Sequence, residues 1–187
     1  MTTIDPSLPG PHVTSRDVVF DSPWVRVVAK GVSFLPTPFY CVEVPDYVAV
    51  CARVPDGRIV LVRQYRPTIE KLVWEFCAGA VDPGETPAVS AARELEEETG
   101  YRVTRLVSLG SFCAETGRLS NRAHLYFCEA EAIEGWVQQE ADVTAHLVAP
   151  EEVDRLIATG QFPTVQHVAL WLQAKAAHLI PGPLATL

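Results

Sequence analysis

Three glutamates stand close together in the sequence, at a spacing that could hold a metal ion. Glu97 and Glu98 follow Glu94 by three and four residues, so on a helix all three would share one face. Like charges at this spacing repel by roughly 0.2–0.5 kcal/mol per pair. A bound cation would offset that repulsion, and carboxylate oxygens suit Mg²⁺ and Mn²⁺. We therefore predict a divalent-metal site; a solvated acidic helix face is the alternative.

The helix that would carry these glutamates has a recognisable start and end. Thr86 is predicted as its N-cap and Pro87 as its first residue. Gly100 supplies the left-handed residue that ends it. Upstream, Gly79 and Gly84 give a loop whose backbone could approach a cation. Small or apolar residues at helical spacing are expected to pack on a sheet: Ala88, Ala91, Ala92, Leu95 and Thr99.

The segment around the glutamates, GAVDPGETPAVSAARELEEETGY at 79–101, resembles the Nudix box. It departs from that motif only at Tyr101, where an aliphatic residue is more usual. The longer run at 59–101, which begins IVLVRQYRP, is similar to the ADP-ribose pyrophosphatase branch of the family. The resemblance implies an α/β (α+β) fold: a Nudix α/β/α sandwich with a mixed central sheet and an N-terminal antiparallel β extension.

The resemblance also implies a reaction and its metal ligands. The reaction would be Mg²⁺-dependent or Mn²⁺-dependent hydrolysis of a nucleoside diphosphate sugar, most simply ADP-ribose to AMP and ribose 5-phosphate. Glu94, Glu98 and the carbonyl of Ala78 would bind the metal, and Glu97 would join through water or bind an additional ion. Arg93 would orient the glutamates, with Glu85 as its structural partner.

Five further residues are implied as substrate ligands. Arg63 and Arg66 match phosphate-clamping positions, the alternative being solvated arginines at a strand end. Glu75 matches a family glutamate near the metal or the diphosphate. Trp24 would stack on the base, or else be a half-buried core residue. Arg118 would contact the terminal phosphate or sugar, or be solvated.

The general base is expected on a loop after the sheet, where the sequence reads VQQEADVTAHL. Glu140 and Asp142 are the candidates, because a carboxylate there could accept the proton of the attacking water. Two solvated loop acids are the alternative.

Departures from the family pattern leave other substrates open. The stretch at 115–121 lacks the Ser-Pro-Gly-like turn frequent in ADP-ribose enzymes, so another nucleotide sugar fits as well. A dinucleoside polyphosphate, a cap or a coenzyme A derivative would keep the chemistry and change the substrate. A catalytically silent ligand sensor is the alternative from a different class, but such modules tend to lose box carboxylates.

Composition sets the class of protein. The chain has 187 residues, 48% of them apolar, with a net charge of −8, which suits one α/β domain and disfavours nucleic-acid binding. The five cysteines form no CxxC pair, so buried free thiols in a reducing cytosol are expected, with a zinc site as the alternative. We find neither a secretory signal nor a membrane-spanning run and predict a cytoplasmic protein.

The remaining elements follow from apolar patterning. Strands are expected at 17–20, 24–34, 47–54, 58–65, 73–76, 102–113, 122–128 and 143–148, and helices at 150–159 and 164–178. The first two strands are predicted to form a hairpin around the turn at 21–23, and the next two a second hairpin around 55–57. In the last helix the predicted packing stripe is Val165, Val168, Ala169, Leu172 and Ala176. We assign 1–45 to an N-terminal arm and β extension and 46–187 to the Nudix domain. The resemblance implies a homodimer in which the extension reaches the partner.

Overall fold

The computed structural model describes residues 10–137 and 142–182. The chain divides into two compact units, which are described separately. The N-terminal unit comprises Met1–Pro45 and Cys113–Asn121, and the main unit comprises Asp46–Phe112 and Arg122–Leu187. The sequence had not placed 113–121 with the N-terminal arm.

The N-terminal unit contains an antiparallel sheet of three strands in the order β1-β2-β3. The strands are β1 (Val13–Asp21), β2 (Arg26–Val32) and β3 (Phe39–Glu43). The predicted first hairpin is confirmed by the pairing of β1 with β2. Its turn is held by Ser22, whose backbone N–H donates to the Val25 carbonyl at 3.0 Å. β3 was not predicted as a separate strand.

Among the described residues, the main unit contains a mixed sheet of seven strands and three helices. The mixed sheet and the helices agree with the sequence, but the strand at 77–80 was not predicted, because Gly79 was assigned to a loop. The strands are β4 (Tyr47–Arg53), β5 (Ile59–Arg66), β6 (Lys71–Glu75), β7 (Cys77–Ala80), β8 (Tyr101–Cys113), β9 (Arg122–Ala132) and β10 (Val143–Val148). The helices are α1 (Pro87–Thr99), α2 (Pro150–Ala158) and α3 (Val165–Ala176). The sheet order is β10-β5-β4-β9-β8, with β6 paired to β5 and β7 to β4. β4 and β9 are parallel, whereas β4 and β5 form the predicted antiparallel hairpin.

The sheet is covered on both faces, which explains the nearly continuous apolar runs of β4 and β5. On one face Val48, Val50 and Val60 pack against Leu95 of α1. On the other, alternate residues such as Leu61 pack with α2 and α3. Side chains therefore separate by strand alternation into an α1 face and an α2/α3 face.

The predicted packing stripe of α3 is wrong except for Val168, which packs partly buried against the core. Val165 is 76% exposed, and the buried residues of the helix are His167, Leu170, Trp171, Ala174 and Lys175. The helix is apolar around most of its circumference, so spacing alone does not select the buried face. The tertiary contact that does so is Asp154 of α2, which accepts hydrogen bonds from the Trp171 indole at 2.7 Å and from Lys175 Nζ at 2.6 Å.

All five cysteines are free. The expectation of buried thiols holds for Cys51, Cys77 and Cys128, but Cys41 is only half-buried and Cys113 is exposed. Burial raises the pKa of Cys128 to about 12, which keeps that thiol protonated and unreactive at neutral pH. Within the described ranges, no helix is both long and apolar enough to span a membrane.

Gly100→Ala should destabilise the fold by about 2–5 kcal/mol. Gly100 adopts φ 71° at the end of α1, a conformation that costs other residues roughly 1–2 kcal/mol. A Cβ there would also overlap the Trp136 ring, and such overpacking adds about 1–3 kcal/mol. Urea unfolding measures the loss. Gly135→Ala is the matched control because Gly135 has φ 74° but no neighbour within 4 Å of a Cβ; equal losses for the two variants would refute the Trp136 contribution.

Candidate functional site

The helix that carries the three glutamates is bounded as predicted. Thr86 caps its start and accepts a hydrogen bond from the Val89 N–H at 3.4 Å, and Pro87 is the first helical residue. Gly100 ends it in the left-handed conformation. The predicted stripe is confirmed for Ala91, Leu95 and Thr99, which are buried. It is wrong for Ala88, which is exposed, and it missed Ser90 and Glu98, which are buried. These two polar residues are buried because each has a hydrogen-bond partner.

Arg93 is the centre of the carboxylate cluster. Its Nη1 donates to Glu94 Oε1 at 2.8 Å and to Glu97 Oε2 at 3.0 Å. Its Nε donates to Glu85 Oε2 at 3.2 Å, and its Nη2 to the Ala80 carbonyl at 3.2 Å. Partial burial acts to lower the pKa of Arg93, but the bonds to the three glutamates outweigh it and raise the pKa above its ordinary value. The guanidinium therefore fixes two glutamates of the helix relative to the preceding loop.

Glu85 supports this arrangement from the loop. The Ser90 hydroxyl donates to Glu85 Oε2 at 2.7 Å. This bond, together with the hydrogen bond from Arg93, lowers the pKa of Glu85, so the carboxylate stays charged. Sequence reasoning expected the Glu85–Arg93 contact but missed Ser90 as its second partner. A hydroxyl one helical turn before Arg93 was the available signal.

Two further contacts join glutamates of α1 to strand β7. Glu98 is 4% exposed, and its Oε2 accepts a hydrogen bond from the Ala78 N–H at 3.2 Å. The Glu94 carboxyl lies directly against the Gly79 backbone, in the space that a Cβ at position 79 would occupy. Strand β7 and helix α1 thus bring Ala78, Gly79, Glu94 and Glu98 together; the metal-binding role of Ala78, Glu94 and Glu98 stays a prediction.

The donor set fits a hard divalent cation. Carboxylates of Glu94, Glu97 and Glu98 and the backbone of β7 supply only oxygen ligands, and the missing Cβ at Gly79 leaves room for the Glu94 carboxylate. In residues 10–137 and 142–182, no three acidic, histidine or cysteine side chains converge closely enough to hold an ion as they stand. Arg93 binds two of the carboxylates instead, so an ion would have to share them with the guanidinium.

Arg93→Lys should reduce the rate of the metal-dependent hydrolysis expected from the sequence by about 10–100-fold. This is the usual effect of losing a residue that orients metal ligands. A lysine has one ammonium and cannot reproduce the four contacts of the guanidinium. Steady-state kinetics at saturating Mg²⁺ would measure the loss. Arg102→Lys is the control, because Arg102 pairs with Glu131 on the exposed surface; an equal loss in that variant would contradict the assignment.

Arg66 and Glu75 form a second charged pair at the end of β5. Arg66 Nη2 donates to Glu75 Oε2 at 2.5 Å, and Thr164 Oγ1 donates to Glu75 Oε1 at 2.6 Å. Glu75 is only 3% exposed, while the Arg66 side chain keeps 40% of its surface accessible. Glu75 therefore holds Arg66 in place, and Arg66 has the exposure needed for an anion. Thr164 lies about ninety positions from Glu75 in the sequence, and no local pattern indicated it.

Arg63 lies on a different face of the sheet from the carboxylate cluster on α1. It alternates with Leu61, which packs on the α2/α3 face, and its guanidinium lies 5.5 Å from the centre of the Trp74 ring. Trp74 itself packs against the same core. Arg63 and Arg66 therefore have different surroundings, and the predicted phosphate-clamping role stays a prediction for both.

Trp24 and Arg118 belong to the N-terminal unit. Trp24 is 83% exposed, so the alternative of a half-buried core residue is wrong, and stacking on a base stays a prediction. Arg118 lies over the Phe39 ring at 5.0 Å and donates to the Gly117 carbonyl at 2.7 Å.

Of the two candidate bases, Asp142 is exposed immediately before β10, and Glu140 lies outside the described residues.

Comparison with known proteins agrees with the motif. A model of the NUDIX domain matches residues 44–169. ADP-ribose pyrophosphatase of Bacillus subtilis (strain 168) is 38% identical over 88 residues, covering 47% of this chain and 48% of the relative. ADP-ribose pyrophosphatase of Haemophilus influenzae is 31% identical over 147 residues, covering 70% and 68%.

A solved structure described as an ADP compounds hydrolase matches with a TM-score of 0.75 at 18% identity, over 92% of this chain and 96% of that one. At that identity the match shows the fold alone. The chain spans about half the length of the Bacillus subtilis relative.

Proposed function

Because this chain belongs to the Nudix family, we propose that it hydrolyses the diphosphate bond of a nucleoside diphosphate sugar, with ADP-ribose as its substrate. The observation that carries the proposal is the set of glutamates on α1 that form hydrogen bonds with Arg93 and with the backbone of β7. The two bacterial relatives named ADP-ribose pyrophosphatase support the substrate.

Glu94, Glu98 and the Ala78 carbonyl would hold Mg²⁺ or Mn²⁺, with Glu97 joining through water. When bound, such an ion lowers the pKa of water and neutralises charge on phosphate oxygens. Arg93 keeps Glu94 and Glu97 directed to one side of α1.

The remaining residues act on the substrate. Arg66, held by Glu75, presents a guanidinium to the diphosphate. For the exposed side chains of the N-terminal unit we propose roles by themselves: the Trp24 ring stacks on a base, and Arg118 contacts a sugar phosphate. A carboxylate of the segment before β10, Asp142 or Glu140, accepts the proton of the attacking water.

A substrate panel tests this function. The full chain is incubated with Mg²⁺ and ADP-ribose, other nucleotide sugars and a dinucleoside polyphosphate, and products are separated by chromatography. The proposal expects AMP and ribose 5-phosphate to form fastest. Faster cleavage of another nucleotide sugar or of the dinucleoside polyphosphate would replace the substrate assignment, and absence of hydrolysis throughout would overturn the enzymatic function in favour of a ligand sensor.

We also propose that the protein is a homodimer formed through the N-terminal unit. Large apolar side chains are exposed on this unit, among them Val18, Phe20, Phe34 and Tyr40, and contiguous exposed apolar surface is typical of an interface. Analytical ultracentrifugation would show a dimer for the wild-type chain and a monomer for Phe20→Asp. A monomeric wild-type protein would contradict the proposal.

A further inference from the structure

A cavity of about 400 Å³ lies in the main unit, between the β5–β6 hairpin and the loop that joins α2 to α3. Arg63, Lys71 and Trp74 line it from the hairpin, and Gln161 and Pro163 from the loop. The two walls are tied together, because the Trp74 N–H donates to the Gln161 carbonyl at 3.3 Å. The cavity is therefore formed by paired backbone rather than by surface side chains alone, and its volume lies in the range of small-molecule sites.

This cavity lies on the face of the sheet opposite α1. Arg63 alternates along β5 with Leu61, which packs with α2 and α3. Its backbone neighbour on β10 is Thr144, and two residues further on His146 places its ring 4.9 Å from that of Trp74. The glutamates of α1 belong to the other face, where Leu95 packs on Val48 and Val60. A ligand in the cavity would therefore be separated from the carboxylate cluster by the sheet.

The charge of the cavity is positive, although the chain as a whole carries −8. Arg63 and Lys71 line it, and none of its lining residues is acidic. In the part of the chain that the structure describes, neither cation forms an ion pair with a carboxylate. The Arg63 guanidinium lies 5.5 Å from the centre of the Trp74 ring, within cation–π range. Two cations without a carboxylate partner among the described residues favour a bound anion.

We propose that this cavity binds a small phosphate ester of sugar-phosphate size, at a site separate from the α1 carboxylates. A planar guanidinium with five N–H donors matches the paired oxygens of a phosphate, and a nearby ammonium adds a second positive charge. Ile69 and Leu72 also line the cavity and give the carbon skeleton of the ester an apolar wall. The loop glycine, Gly160, adds no side chain, which leaves room beside that wall.

Binding of ribose 5-phosphate to the full chain in EDTA tests the proposal, because metal-dependent binding at α1 is then suppressed. Isothermal titration should detect binding that weakens about tenfold or more in Arg63→Ala. Arg105→Ala is the matched control, since Arg105 is exposed on β8 and does not line the cavity. Glu98→Gln should bind as the wild type does. Ribose without phosphate should not bind.

Hydrogen exchange locates the ligand independently of affinity. Ribose 5-phosphate should protect backbone amides at 71–74 and 160–162, on the two walls of the cavity. Unchanged affinity in Arg63→Ala, equal binding of ribose, or protection confined to 78–80 and 94–98 would each overturn the proposal. These measurements involve no turnover, so their failure is distinct from a failure of the proposed hydrolysis, which the substrate panel reports.

Discussion

Replacing Glu98 by glutamine should lower the rate of the proposed hydrolysis by at least about 10²–10³-fold, the scale on which one preorganised charge contact acts. Glu98 is nearly inaccessible, so its charge is well placed to act on an adjacent cation in a medium that screens weakly. Glutamine has the same shape and its carbonyl oxygen can still accept the hydrogen bond from the Ala78 N–H. The variant therefore removes the charge and keeps the geometry.

The matched control is Glu96→Gln, because Glu96 lies on the same helix but is exposed. Steady-state kinetics over a range of Mg²⁺ concentrations, Mn²⁺ titration calorimetry and thermal unfolding should be measured for both variants. We expect Glu96→Gln to behave as the wild type, and Glu98→Gln to lose activity and metal affinity while unfolding at nearly the wild-type temperature. Wild-type turnover in Glu98→Gln would contradict the proposal that Glu98 is a metal ligand.

Gly79→Ala, which adds one methyl group, should reduce kcat/KM for the proposed hydrolysis by about 10–100-fold, as loss of support for a metal ligand does. Gly79 pairs with Val48 in the β4–β7 ladder, and its Cβ would overlap the Glu94 carboxyl group. The obstructed atoms are the end of a flexible side chain, so Glu94 can swing away and give up its 2.8 Å bond to Arg93. The stability cost should stay within the roughly 1–3 kcal/mol of ordinary overpacking.

A double-mutant cycle makes this prediction specific to Glu94. Gly79→Ala in a Glu94→Ala background should have no further effect on kcat/KM, because the obstructed carboxylate is already absent. Gly10→Ala is the control for an added methyl, since no atom lies within 4 Å of a Cβ there. Independent, multiplicative losses from Gly79→Ala and Glu94→Ala would show that Gly79 acts through something other than the Glu94 carboxylate.

Local patterns made much of the main unit predictable. The N-cap Thr86, the first-turn Pro87 and the left-handed Gly100 bound α1 where the sequence indicated, because each acts on the backbone of its own turn. The same holds for the β4–β5 hairpin, where Asp56 accepts a hydrogen bond from the Arg58 N–H at 3.1 Å and Gly57 has φ 89°. The glutamate spacing likewise required only that 87–99 be helical.

Contacts between distant parts of the chain were beyond the reach of those patterns. The face that α3 buries depends on Asp154 of another helix, and the environment of Glu75 depends on Thr164. Neither partner is near enough in sequence to leave a periodic signal. Exposure of Cys113 and of Trp24 likewise followed from packing and not from residue type.

The sequence by itself determined the Nudix motif, the helix that presents its glutamates and the mixed α/β class, because these rest on residue identity and on spacing within single elements. Only the tertiary structure decided which side chains surround each arginine of β5. Alternation directs Arg63 to the α2/α3 face and its neighbour Trp74, whereas Arg66 is held by the buried Glu75. The physical reason is that a strand's two faces become different environments only when helices cover them.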